Sequence, residues 1–147
     1  MDITVNTTQI DALRDFFDGL SSADQRKIFL TAFRKVAKPI IAEAKATVPR
    51  KTGNLARSIG SIAVANEAAI LVGAKKSGGY KGWHGHLIEN GTVNRFRKTK
   101  KNAATGRIIG THFFENAYNN NEHFITQYTE EEILQAIDKL IVKINKR

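Results

Sequence analysis

The side chains whose types could do chemistry lie close together between Trp83 and Glu89. His84, His86 and Glu89 carry the imidazole and carboxylate groups that hold zinc or iron in many proteins. On a strand the two histidines share a face and Glu89 points away, whereas on a helix His86 and Glu89 are neighbours and His84 is not. Neither regular conformation unites the three, so we expect surface or interface histidines and no bound metal.

Other routes to catalysis find little support in the sequence. The glycines between residues 78 and 85 match neither phosphate-binding pattern, Ser58 and Ser61 lack the GxSxG context, and the chain has no cysteine. Acid or base chemistry by Glu89 or Glu115 stays open, although no second carboxylate stands at an informative spacing. We therefore expect a protein that is not an enzyme and that uses no cofactor.

A strongly basic segment follows these residues. Residues 93–110 contain Phe96 between two arginines and lack acidic residues. Lysine and arginine bind phosphates through charge, but one aromatic is too few to stack successive bases. We expect a long mobile loop that contacts an acidic protein partner or, alternatively, DNA without sequence specificity. The candidate contacts are Arg95, Arg97, Lys98, Lys100, Lys101 and Arg107.

Two aromatic residues stand among glycines and histidines instead of in an apolar stripe. Tyr80 and Trp83 combine an apolar ring with a polar handle, which suits a surface that is buried on one side and wet on the other. They either anchor an interface or pack a hairpin against a helix. The full predicted interface consists of Arg50, Lys51, Tyr80, Trp83, His86, Glu89 and Thr92.

The composition limits the classes of protein that the chain can be. Its 147 residues, 41% of them hydrophobic, suit a single domain over residues 1–147. The net charge of +9 is concentrated in residues 26–57 and 75–107, each with nine Lys/Arg and one Glu, which favours polyanions or acidic proteins as partners. The acidic N-terminus argues against a signal peptide, and because no apolar run is long enough to cross a bilayer, we expect no membrane contact. The lack of cysteine fits a reducing cytoplasm.

The elements that must position these residues follow from periodicity and breakers. We predict a helix at about Thr8–Phe17 and a longer one at Ser22–Thr47, with a Ser22–Gln25 capping box and a kink or break at Pro39. A hairpin of Ile59–Ala65 and Ala68–Ala74 follows, in which Ile62 and Val64 mark one buried face.

The second half of the chain is predicted with more alternatives. A third strand or a short helix lies within Trp83–Asn90, before the Asn90-Gly91 turn signal. The last helix begins near Phe113, is interrupted near Asn119–Asn121 and restarts at a Thr129–Glu132 capping box. The predicted class is α+β, with a small antiparallel β-sheet packed against a long N-terminal helix and a C-terminal helix.

Four motifs in fixed order give the chain a family resemblance. Ala46–Pro49 closes the long helix, and KTGNLARSI at Lys51–Ile59 is similar to a "TG-x-L-x-x-SI" segment. Tyr80 and then LIENGT at Leu87–Thr92 are similar to an aromatic followed by "E-x-GT", and THFFENA at Thr111–Ala117 stands where "PFL-x-x-A" is usual. Over roughly residues 25–145 the chain resembles the gene-product-ten-like head–tail joining, or tail-completion, proteins of long-tailed bacteriophages and prophages.

The resemblance implies a function in virion assembly. It predicts a structural protein of the tail or neck that joins or completes the head-proximal end of the tail, as an oligomeric ring. Its partners would be copies of itself and other phage neck and tail proteins, with DNA contact at the basic segment left open. The alternative class is a small basic protein that binds nucleic acid without sequence specificity.

The motif residues also have a physical interpretation of their own. Thr52 can cap a single helical turn, and Gly53 permits a tight path after Pro49. Leu55 and Ile59 then lie on one face and can anchor that turn to the core.

Overall fold

The computed structural model describes residues 14–76, 79, 81–98 and 103–144. Residues 14–18 are helical, and the earlier part of the first predicted helix lies outside the described residues. The predicted α+β class is confirmed, because two long helices accompany two small antiparallel sheets. We number the elements α1 Ser22–Thr47, α2 Asn54–Ser58, β1 Ile59–Ala63, β2 Ile70–Ala74, α3 Gly85–Asn90, β3 Arg95–Phe96, β4 Ala104–Gly106 and α4 Phe113–Ile144.

The first long helix, α1, begins at a serine cap. The Ser21 hydroxyl accepts a hydrogen bond of 3.2 Å from the backbone N–H of Asp24, which has no partner within the helix. The cap therefore lies one residue before the Ser22 that the sequence predicts. The Gln25 side chain turns back to donate to the Phe17 carbonyl at 2.7 Å, which fixes the preceding helical turn against α1.

An internal proline does not interrupt α1. Pro39 lacks an N–H and costs a helix interior about 3 kcal/mol. The residues before it, Val36 and Ala37, are buried, and α1 packs along α4 over much of its length. This packing outweighs the lost hydrogen bond, so the predicted break at Pro39 is wrong, whereas the alternative of a kink stays a prediction.

The turn after α1 is formed by backbone geometry instead of a side-chain cap. Gly53 takes a left-handed conformation with φ of 72° at the N-cap of α2, and no side chain caps that helix. The predicted cap by Thr52 is therefore wrong, whereas the tight path through Gly53 is confirmed. Leu55 and Ile59 are both buried, as predicted.

The hairpin of β1 and β2 is confirmed in antiparallel register, from Ile59 opposite Ala74 to Ala63 opposite Ile70. Its buried face differs from the prediction, because Ile62 is 51% exposed and lies opposite Leu71, which is 66% exposed. The face of the hairpin that carries Ile62 and Leu71 is therefore open to solvent.

The segments after the hairpin are more regular than a loop. Residues 85–90 form α3, which confirms the helical alternative over a third strand. β3 and β4 pair as a short antiparallel ribbon within the segment for which no secondary structure is predicted. The mobility of that segment stays a prediction.

The last helix, α4, is continuous from Phe113 to Ile144, so the predicted interruption at Asn119–Asn121 is wrong. Asn120 and Asn121 donate their side-chain amides to the two carboxylate oxygens of Glu43 on α1. These asparagines join two helices instead of ending one. The second capping box is also wrong, since Thr129 donates to the Ile125 carbonyl inside the helix.

The two long helices run antiparallel. Glu43 meets Asn120, Lys35 forms an ion pair with Glu132, and residues 24–31 lie beside residues 136–143. At one end of this pair the core closes under α2 and β1. Its buried members are Ala44, Val48, Leu55, Ile59, Phe113 and Ala117. Within the described part of the chain, no helix is both long enough and apolar enough to cross a membrane.

Candidate interaction surfaces

Glu89 joins α3 to the start of α4. Its two carboxylate oxygens accept hydrogen bonds from the backbone N–H groups of Phe114 at 2.9 Å and Glu115 at 3.1 Å. The first N–H groups of a helix have no partner within it, and a negative charge there is favoured by the helix dipole. Glu89 is therefore a side-chain cap supplied from another helix, a function that its sequence neighbours do not predict.

The same residue belongs to the one described group that resembles a metal site. Ligand atoms of Glu89, His112 and Glu115 lie within 4.8 Å of one another, and His112 Nδ1 is 2.9 Å from a Glu115 oxygen. Both oxygens of Glu89 already accept backbone hydrogen bonds, and the N-terminal end of α4 is electropositive. These contacts describe a helix cap better than a cation site. His84 and His86 are not part of the group.

Two glycines bring the chain into close contact where the basic segment leaves the body. A Cβ on Gly91, whose φ is 76°, would lie 2.6 Å from the Gly110 nitrogen, and a Cβ on Gly110 would lie 2.7 Å from the Glu89 carbonyl oxygen. Thr92 closes this base with two hydrogen bonds of 2.9 Å to the backbone of Ile108. These contacts hold the two ends of the segment together at its base.

We call residues 91–110 the arm, and the other described residues the body. Its described residues from 93 to 98 and from 103 to 107 are all exposed. Three large apolar side chains lie in solvent on it, since Val93 is 83%, Phe96 60% and Ile109 74% exposed. Among the described residues of the arm, four are cationic: Arg95, Arg97, Lys98 and Arg107. Lys100 and Lys101, also predicted contacts, lie outside the described residues.

An apolar groove that is open to solvent lies on the body. It has a volume of about 390 Å³ and lies between α1, β2 and α4. It is lined by Phe33, Val36, Ala37, Ile40, Ile70, Val72, Phe114, Tyr118 and Ile125. Tyr118 is 49% exposed, so its ring forms part of an unfilled wall.

The helix that forms one wall of this groove is acidic. Residues 113–138 contain six Asp or Glu and no Lys or Arg. Within the described part of the chain, ion pairs join only Lys35 to Glu132 and His112 to Glu115. Glu122, which is exposed, lies four residues after Tyr118 and three before Ile125, so it shares their flank of the helix.

The other predicted interface residues lie outside the arm in sequence. Trp83 is 60% exposed and packs edge-on against the His84 ring, so it does not pack the hairpin against a helix. His86 Nδ1 lies 2.9 Å from the Trp83 carbonyl. Arg50 donates to the Lys45 carbonyl at the end of α1, and Lys51 is exposed. Tyr80 lies outside the described residues, and the interface role of all of them stays a prediction.

The sequence analysis missed the groove and the acidic wall. The acidic wall had a signal, namely the run of acidic residues without a base after Phe113. The groove had none that local patterns could show, because its lining comes from three elements that are distant in sequence. In the described residues every buried side-chain polar atom has a hydrogen-bond partner.

The family comparison matches the first part of the chain. A family model described as "Bacteriophage HK97-gp10, putative tail-component" matches residues 11–91, which is more than half of the sequence. No curated protein and no solved structure matched the chain. The matched range includes the Lys51–Ile59 motif and Glu89 and ends at Gly91, where the arm begins.

Proposed function

The chain belongs to the HK97-gp10-like family of bacteriophage tail components, and on this basis we propose that it is a structural protein of a phage or prophage that joins or completes the head-proximal end of the tail. It would act in the neck of the virion, beside other neck and tail proteins. The observation that carries the proposal is the family match over residues 11–91.

The positions of the matched motifs support a structural role. Gly53 and Leu55 fold the segment after α1 onto the core, and Glu89 caps α4. These three motif residues help to build the body. We infer that the protein assembles into the virion and is not an enzyme.

A ring is the oligomer that this location calls for. Contacts between unlike surfaces of identical copies close into a ring when the rotation between neighbours permits it. The chain carries two unlike surfaces, a basic arm with exposed apolar residues and an apolar groove with an acidic wall. This pair supports a cyclic homo-oligomer.

Loss of the gene in its phage or prophage tests the proposal. We expect filled heads and free tails that do not join, or tails of uncontrolled length, seen by electron microscopy. The wild-type gene supplied in trans should restore complete particles. Normal particles without the protein would contradict a function in joining or completion.

A second function, non-specific nucleic-acid binding, is favoured by one observation. The arm exposes Arg95, Arg97, Lys98 and Arg107 without an acidic partner in the described residues. This alternative predicts DNA binding that weakens steeply with salt. Neutralising Lys98, Lys100 and Lys101 together should then abolish binding, and unchanged binding would exclude the arm as the DNA site.

A further inference from the structure

We propose that the arm of one copy docks on the apolar groove and acidic wall of α4 in a second copy of this chain. The inference rests on the proposed assembly function, and it specifies which surfaces of neighbouring copies meet. The arm consists of residues 91–110, and the groove lies between α1, β2 and α4.

The arm lacks the packing that would stabilise it alone. An isolated two-stranded ribbon is marginally stable in water, and stability normally requires a third strand or a packed face. Val93, Phe96 and Ile109 are 83%, 60% and 74% exposed, so the arm itself covers little of them. Burying such side chains contributes about 1.5–3 kcal/mol each, so a partner surface would stabilise the ribbon substantially.

The groove offers that surface in matching chemistry. Its nine lining residues are all apolar or aromatic, and it is open to solvent along its length. Tyr118 and the half-buried Phe33 and Phe114 give it aromatic walls, which are frequent anchors at protein interfaces.

The arm and one wall of the groove carry opposite charges. The arm has six Lys/Arg and no acid over residues 91–110, whereas the part of α4 that lines the groove, residues 114–125, has Glu115 and Glu122 and no Lys/Arg. The exposed Glu122 lies on the flank of the helix that faces the groove. Opposite charges beside an apolar contact favour encounter and fix the register of docking.

Three observations favour a second copy over the other occupants. The described arm residues 93–98 and 103–107 are exposed, so they do not lie in their own groove, and the Gly91–Gly110 contact and the Thr92 hydrogen bonds hold the base of the arm together. DNA would use the cations but would leave Val93, Phe96 and Ile109 in solvent. Every copy carries both surfaces at different places, so arm and groove can link copies head to tail.

Disulfide trapping between two different variants tests this arrangement directly. The natural chain has no cysteine, so Val93→Cys and Tyr118→Cys can be made as single-cysteine proteins and mixed. We expect a cross-linked dimer that contains one copy of each, both in concentrated solution and in assembled tails. Leu134→Cys is the matched control, because Leu134 is 45% exposed on the same helix but on the opposite flank.

Complementation between interface variants gives an independent test. Val93→Ser with Ile109→Ser should prevent association through the arm, and Tyr118→Ser with Ile125→Ser should prevent it through the groove. A mixture of the two should form a heterodimer with one intact interface and nothing larger. Arg95→Glu with Arg97→Glu should weaken association about tenfold or more, and Glu122→Arg should restore part of it.

The outcomes separate this inference from the proposed function. Particles that require the protein but show no Val93–Tyr118 cross-link, in solution or in tails, overturn the arm contact and leave the tail function standing. A chain that carries both Val93→Cys and Tyr118→Cys gives a further control. If a cross-link forms only within that chain and never between chains, the arm docks on its own body and the proposal is overturned. If Arg95→Glu with Arg97→Glu abolishes DNA binding but leaves the association between copies unchanged, the arm binds nucleic acid and the proposal is overturned.

Discussion

The body and the arm differ in what holds each of them in place. Around Phe113, which is 1% exposed, side chains from α1, α2, β1 and α4 close a continuous core. In the arm, Val93 and Ile109 are among the most exposed large apolar residues of the described chain. Buried apolar contacts within the chain stabilise the body, whereas the apolar side chains of the arm are not covered by the body.

The boundary between body and arm coincides with the end of the family match. The family match covers the residues that build most of the body and ends at Gly91, where the arm leaves it. At the junction Glu89 caps α4 and the two glycines bring their backbones into contact. We therefore expect the body to fold without help from the exposed part of the arm.

The largest expected loss of stability comes from substituting a buried residue of the core. Phe113→Ala should lower the free energy of unfolding by about 3–5 kcal/mol, because it leaves a cavity among fully buried neighbours. Phe96→Ala in the arm removes the same side chain from a position that is 60% exposed, and should change stability by less than about 0.5 kcal/mol. Denaturant unfolding of the monomer measures both, and equal losses would contradict the separation of body and arm.

The junction should be the next most sensitive place. Gly110→Ala would bring a Cβ to 2.7 Å from the Glu89 carbonyl oxygen, so the backbone must shift, at a cost of about 1–3 kcal/mol. Gly73→Ala on β2 meets no atom within 4 Å and serves as the control, with little expected loss. If Gly110→Ala were as mild as Gly73→Ala in thermal unfolding, the close contact at the arm base would not exist.

The helix cap gives a smaller effect. Glu89→Ala leaves two N–H groups of α4 without their acceptor and should cost about 1–2 kcal/mol. Glu130→Ala removes an exposed carboxylate inside the same helix and should cost less than about 0.5 kcal/mol of unfolding free energy.

Added Zn²⁺ should leave the melting temperature of the wild type unchanged. A rise that depends on Glu89 and His112 would instead identify a metal site.

The smallest effect on folding should accompany the largest on assembly. Val93→Ser with Ile109→Ser should leave the unfolding of the monomer within about 0.5 kcal/mol of wild type, because both side chains are exposed. The same variant should lose association in light scattering. Leu134→Ser, which also removes an exposed apolar side chain, should retain it.

Local patterns in the sequence predicted much of the body. The periodicity of α1, the hairpin from Ile59 to Ala74 and the buried Leu55 all follow from residue spacing and turn chemistry. The errors share a cause, because tertiary contacts override local signals. Packing on α4 carries α1 through Pro39, and Glu43 uses the asparagines that would otherwise indicate a helix end.

The candidate surfaces were predicted only in part. The charge of the arm is evident in the sequence, and so is the acidic run after Phe113. The groove and the Glu89 cap are not, since each depends on residues that only the fold brings together. No local pattern can show that the carboxylate of Glu89 will reach the first turn of a helix 25 residues away.

Hydrogen exchange of the arm in free and assembled protein tests the central claim most directly. In the monomer, the backbone amides of residues 93–98 should exchange rapidly, while those around Phe113 on α4 exchange slowly. On assembly, the account predicts strong protection of residues 93–98 and of the groove residues near Tyr118, with the core unchanged. Arm amides that exchange as fast in the assembly as in the monomer would contradict it.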